Sequence, residues 1–354
     1  MNNARTLTKS TIALALCLAV SRLDAASDVE LNVIYGDDNR LDLHQVDDPE
    51  LLSWADSTVA LFDASRLTLD AENGRVNLRT DSYADDYNLC HGEPFRDQKH
   101  GAFCSGSLVG PDLVMTAGHC VSSAGECQST RFVFGFAIRE AGALPESVAA
   151  SEVYGCAQII GSAVVHNGAD WSLIRLDRPV NNHQPRTVNR SGTIKNGTQL
   201  VVIGHPAGLP TKVAGGAWVR DSSPTGYFVA NLDTYGGNSG SAVFNADTGA
   251  IEGILVRGER DYEDIGGCRV SKVCKNEECR GEDVTKISAL ARLIPSAQNE
   301  ALADSGDEES SDALAMAPEA ASAPIMRFVP VSFNARSLSS AASRLGALFE
   351  TGAR

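Results

Sequence analysis

Between Val33 and Val256 the chain is cut into many short runs of apolar and β-branched residues separated by Gly, Pro and Asn, and this punctuation excludes most folds. Runs at 57–63, 66–70, 75–80, 103–109, 113–116, 131–136, 156–165 and 171–176 read as strands. So do 199–203, 211–219, 227–232, 242–245 and 251–256. Short strands at such close spacing point to an all-β antiparallel barrel or sandwich. Gly110-Pro111-Asp112 joins two of them as a hairpin. Two helical segments are predicted: a turn around Pro49 to Trp54, and a C-terminal helix capped by Asp283. In the latter Ile287, Leu290, Ala291 and Ile294 fall at i, i+3, i+4 and i+7 before Pro295 stops it. Asp81 to Asn88 reads as a solvated acidic loop, since it lacks the Asp-x-Asp-x-Asp-Gly spacing of a calcium loop.

The ends of the chain have a different character. Arg5 and Lys9 precede an apolar run from Thr11 to Val20, with Ala25 at a plausible cleavage point, so 1–25 reads as a secretory signal. The run is too short to span a bilayer, and no other stretch could do so. Beyond Ser296 the composition shifts to Ala, Ser, Glu and Asp, so 296–354 is expected to be a low-complexity, disordered tail. Its apolar patches, 325–333 and the residues around Leu345, are read as incidental. This leaves 26–295 as the folded domain, with an internal boundary near 170–195. The formal net charge of -15 argues against nucleic acid or an anionic membrane as the main partner.

Of nine cysteines, Cys17 would leave with the signal. The remaining eight are an even number in an exported chain, which reads as disulfides in a secreted or periplasmic protein. No C-x-x-C pair is present, so no metal site is expected.

Three segments carry chemistry. Asp233 to Phe244 reads D-T-Y-G-G-N-S-G-S-A-V-F and places Ser239 in a glycine-rich turn ahead of a strand. A serine hydroxyl is a poor nucleophile without a base and without donors for the oxyanion it creates. His119, in T-A-G-H-C at the end of the Leu113 strand, supplies a base. Cys104, on the preceding strand of the same hairpin, could bridge to Cys120 and fix the histidine backbone. Asp170 begins an apolar strand, where its carboxylate can accept the imidazole N–H.

The chain order His119, Asp170, Ser239 resembles the chymotrypsin/trypsin-like serine proteases. Within them it is most similar to the bacterial branch that includes the glutamyl endopeptidases, through 33–40 (V-I-Y-G-D-D-N-R) and the Gly237 to Ser241 loop. The resemblance implies two antiparallel six-stranded β-barrels with a C-terminal helix, no cofactor, protein or peptide substrates, and a monomer. It also implies an oxyanion hole from the N–H groups of Gly237 and Ser239. Asn238 stands where animal trypsin-like enzymes have the aspartate that pairs with a freshly cut N-terminus, which implies that this activation switch is absent.

For specificity the resemblance places Asp233 at the base of the primary pocket, Thr234 in its wall, and Leu255 where the glutamyl enzymes carry a histidine. Arg/Lys before the scissile bond is therefore expected, unless Arg257 neutralises Asp233. Six cysteines outside the Cys104–Cys120 pair allow 15 pairings. A Cys127–Cys156 bridge and one within the loop of Cys268, Cys274 and Cys279 are expected. The rival reading is an inactive protease homologue acting as a secreted binding protein.

Overall fold

A computed structural model describes residues 33–296. The expected signal segment and tail lie outside the described residues. Twelve strands make up the frame. The first six are β1 (Thr58–Asp63), β2 (Cys104–Gly110), β3 (Leu113–Thr116), β4 (Thr130–Val133), β5 (Val153–Val164) and β6 (Asp170–Leu176). The second six are β7 (Gln199–Gly204), β8 (Lys212–Asp221), β9 (Tyr227–Ala230), β10 (Ala242–Asn245), β11 (Ile251–Arg257) and β12 (Glu282–Lys286).

Each half closes into an antiparallel barrel. The first runs β1-β2-β3-β6-β5-β4 and back to β1. The second runs β7-β8-β9-β12-β11-β10 and back to β7. The two rings have the same connectivity, so the fold is one barrel pattern used twice.

Alternation fills the interiors. Leu61, Leu108, Val114, Phe132 and Ile174 share the inner face of the first barrel, and Val202, Val219, Phe228, Val243, Leu255 and Val284 pack inside the second. The core of the first barrel continues without a break onto Val201, Ile203, Phe244 and Ile254 of the second. The predicted turn at Pro49 is a helix, α1 (Pro49–Ala55), capped by Asp48, and it delivers Trp54 onto this seam to stack on Phe244 at 5.2 Å. Among the described residues, no helix is long and apolar enough to cross a membrane.

Four disulfides close loops around this frame: Cys90–Cys268, Cys104–Cys120, Cys127–Cys156 and Cys274–Cys279. The Cys104–Cys120, Cys127–Cys156 and late-loop bridges match expectation. The fourth ties the Asp81–Asn88 region to the late loop, so that region is not simply solvated: Tyr83 is buried and bonds the Tyr262 hydroxyl.

The C-terminal helix is absent. Asp283 lies inside β12, and the segment after it makes only two 3₁₀ turns, Ile287–Ala289 and Ala291–Leu293. β12 continues to Lys286, and Leu290 leaves helical geometry with φ -129° and ψ -6°, so the segment breaks into two separate turns. Ile287, Leu290 and Ile294 are nevertheless buried as the periodicity required. The Arg190 guanidinium takes up the carbonyls of Ala291, Ile294 and Pro295 in place of helix bonds.

One polar group holds the outside of the first barrel. His183 stacks on Phe134 at 4.2 Å, and its two ring nitrogens face Asp56 (3.0 Å) and Glu152 (2.7 Å). Burial works against its charge, but the two carboxylates prevail and raise its pKa from 6.5 to about 9. A histidine with a raised folded-state pKa contributes stability that is complete below the unfolded pKa and is lost as pH climbs through the folded one. Thermal unfolding of wild type and His183→Gln should therefore differ most below about pH 6.5 and converge towards pH 10; a gap that widens with pH would show the opposite linkage.

Candidate active site

The site forms where loops from the two barrels meet. His119 leaves the end of β3, and the Cys104–Cys120 bridge fastens the next residue back to β2. Asp170 opens β6. Its Oδ2 lies 2.6 Å from His119 Nδ1, and its Oδ1 accepts the His119 backbone N–H at 3.1 Å. The carboxylate therefore grips both ring and backbone of one histidine. With Nδ1 as the donor, Nε2 is left as the basic nitrogen. The Asp170 side chain is 7 % exposed and that of His119 30 %, so the acid is shielded while the ring faces out.

The second barrel holds this pair in place. Thr285 of β12 uses its hydroxyl twice: it accepts the Asp170 N–H and donates to the Asp170 carbonyl, each at 2.9 Å. Sequence reasoning missed Thr285, because a contact across 115 positions leaves no local signature.

Ser239 sits in the turn before β10, reached through another inter-barrel stitch. Ser105 of β2 donates its N–H to the Ser239 carbonyl (2.8 Å) and its hydroxyl to the Gly237 carbonyl (2.8 Å), and the same hydroxyl accepts the His205 N–H (2.9 Å). The Cys120 sulfur lies 3.7 Å from the Ser239 carbonyl, so the turn abuts the residue next to His119. Gly237 and Gly240 both have φ of +90°, and a Cβ on Gly240 would come within 2.0 Å of the Ser105 carbonyl. Only glycine accepts both demands. Asn238 is buried, and its side chain accepts the Ser241 hydroxyl at 3.1 Å.

Cys104, His119 and Cys120 are close enough to suggest a metal site. Both sulfurs are spent in the disulfide, so no thiolate is offered. His205 is buried, stacks on Phe136, and holds the Leu209 carbonyl with Nδ1 at 2.9 Å; burial lowers its pKa to about 4. It is a neutral turn residue, as its His-Pro context suggests.

The specificity residues fall elsewhere than expected. Asp233 does not present an open carboxylate at a pocket floor. Its Oδ1 accepts the Tyr35 N–H (2.7 Å) and its Oδ2 the Asn39 N–H (2.9 Å), so both oxygens anchor the N-terminal segment. Arg257 does not neutralise it: the guanidinium donates to Asp283 (2.9 Å) and to the Gly168 carbonyl (2.8 Å). Leu255 is buried in the core of the second barrel. Thr234 is buried and donates its hydroxyl to Glu282 at 3.1 Å. The misreading arose because position relative to Ser239 was legible, whereas the partner arriving from Tyr35 and Asn39, nearly 200 residues away, was not.

The N-terminal segment is locked further along its length. Arg40 pairs with Asp38, lies over the Tyr235 ring at 4.0 Å and donates to its hydroxyl. Arg40–Asp42 adds to the edge of β8, and the buried Lys212 donates to Asp42 at 2.6 Å. The residues leading into Ser239 are thus braced by the start of the domain.

Residues 104–254 match the family model of the trypsin-like peptidase domain. No curated protein sequence matches the chain. Among solved structures, a Glu endopeptidase is 17 % identical with a TM-score of 0.43, the match covering 77 % of this chain and 100 % of that one. The VesB protease of Vibrio cholerae is also 17 % identical, with a TM-score of 0.44 and coverage of 76 % and 68 %.

Burial raises the Asp233 pKa to about 7 against the pull of its two N–H donors. A raised carboxyl pKa means that the folded state holds the proton longer, so ionisation of this group removes stability between about pH 4 and 7. Asp233→Asn keeps one acceptor and turns an amide donor on the other N–H, which should cost about 1–3 kcal/mol. The expected result is a lower melting temperature with early proteolytic nicking in 33–40, and no change in relative preference among peptide substrates. A selective loss of cleavage after Arg and Lys would instead restore Asp233 to the pocket.

Proposed function

We propose that the chain is a serine endopeptidase acting outside the cytoplasm, with His119, Asp170 and Ser239 as its triad. The observation that carries this reading is the two-point grip of Asp170 on His119, set against the pinned turn that bears Ser239. A carboxylate that fixes Nδ1–H leaves Nε2 to take a proton, which is what a serine nucleophile requires. Four disulfides support an oxidising compartment.

In this mechanism the Ser239 Oγ attacks the scissile carbonyl while His119 Nε2 accepts its proton. The N–H groups of Gly237 and Ser239 receive the oxyanion, each donor being worth about 3–4 kcal/mol. Collapse breaks the C–N bond, and His119 returns the proton to the departing amine. Water then attacks the acyl-enzyme with His119 again as base, releasing the acid and restoring Ser239. Asp170 holds the imidazole by Nδ1 and stabilises the imidazolium. Substrates are proteins or peptides. An inactive homologue would have no use for so shielded an acid beside an accessible histidine.

Hydrolysis of a denatured protein substrate by the full-length chain tests the assignment. Ser239→Ala and His119→Ala should each lower kcat by roughly 10⁴-fold or more, and Asp170→Asn by about 10⁴-fold through the wrong tautomer. Retention of activity in any of the three would remove that residue from the mechanism.

A further inference from the structure

Glu282 is left unused by the chemistry above. It begins β12 and is fully buried. Its Oε2 accepts the Thr234 hydroxyl (3.1 Å), and its Oε1 accepts the Glu259 N–H (3.2 Å). Both donors are neutral. The nearby cations are engaged elsewhere: Arg257 and Arg280 both donate to Asp283 Oδ2, and Lys272 pairs with Glu259 at 3.0 Å. Among the described residues, no cation forms an ion pair with Glu282. A buried acid without a counter-cation is costly, and its pKa is accordingly pushed well above the carboxylate range, first by burial.

Its position gives that cost a use. Thr234 lies five residues before Ser239. On the other side, β11 runs beside the Ser239 turn, with the Gly240 N–H on the Leu255 carbonyl and the Leu255 N–H on the Ser241 carbonyl. Three residues on from Leu255 is Gly258, about 10 Å along an extended strand, and there the Glu282 carboxyl fills the space that a side chain would take. A Cβ on Gly258 would fall 1.7 Å from Oε2. Glu282 thus lies between Thr234 and Gly258, on the two segments that run into and beside the Ser239 turn.

We propose that Glu282, rather than Asp233, selects the substrate, by pairing with a Lys or Arg side chain before the scissile bond. This rests on the protease reading of Ser239. The bound cation takes over the hydrogen bonds that Thr234 and the Glu259 N–H make to the carboxylate, or shares them, and supplies the missing counter-charge. Asp233 cannot do this, since the N-terminal segment holds both its oxygens. A substrate glutamate would bring a second acid to a site with no free cation, and a short apolar side chain would leave the carboxyl uncompensated.

The test is kcat/KM for a fluorogenic peptide series differing only in the residue before the scissile bond (Arg, Lys, Gln, Leu, Glu). Wild type should favour Arg and Lys, and the Arg-over-Leu ratio should fall by about 100-fold or more in Glu282→Gln, as when a buried charge loses its partner. A wild type that prefers Glu or Leu, or an unchanged ratio in Glu282→Gln, overturns the proposal. Should Glu282→Gln not fold, wild type decides. Benzamidine, an arginine-like cation, should protect Ser239 from a fluorophosphonate where neutral benzamide does not. Equal or absent protection with labelling intact overturns the Glu282 assignment alone, whereas absent labelling overturns the protease reading and the assignment with it.

Discussion

The carboxylate of Asp170 is the point on which the site depends. One oxygen fixes the His119 ring, the other fixes its backbone, and the residue's own peptide groups are held by Thr285 from the opposite barrel. A shift of either barrel would therefore disturb the histidine and its tautomer together. Ser105 plays the matching part for the Ser239 turn, binding the carbonyls of Gly237 and Ser239 from the first barrel. These two stitches cross the seam in opposite directions, and the apolar contact beneath them, with Trp54 on Phe244, keeps the seam rigid. Catalytic geometry tolerates displacements well under 1 Å, so a site shared between two bodies needs such cross-links.

The beginning of the domain serves the same turn from behind. Tyr35 and Asn39 occupy Asp233, the Val33 carbonyl accepts the Thr234 N–H (3.4 Å), and the Tyr35 hydroxyl accepts the Gly281 N–H (2.7 Å). The N-terminal segment thereby contacts the chain on both sides of Glu282. The buried acid groups of Asp233 and Glu282 are held differently: Asp233 accepts the backbone N–H groups of Tyr35 and Asn39, and Glu282 the Thr234 hydroxyl and the Glu259 N–H.

Much of this was legible in the residues. Strand alternation gave nearly every barrel strand to within a few positions, because side chains pointing into a closed barrel must be apolar on one face. Ser239, His119 and the Cys104–Cys120 bridge were visible because each is a local pattern of residues adjacent in sequence. The failures share one cause. β12 was read as a helix start because Asp283 resembles a cap, although its carboxylate pairs with two arginines inside a strand. Asp233 was given to the pocket and Thr285 was overlooked because their partners lie 194–198 and 115 residues away. Local chemistry announces itself in sequence; long-range hydrogen bonding does not.

Covalent labelling of the intact chain by a fluorophosphonate, with the modified residue mapped by peptide mass spectrometry, tests the central assignment most directly. A single adduct on Ser239, formed more slowly in Asp170→Asn, is the expected outcome. No adduct under conditions that label trypsin, or an adduct on Ser241 in its place, would contradict the assignment.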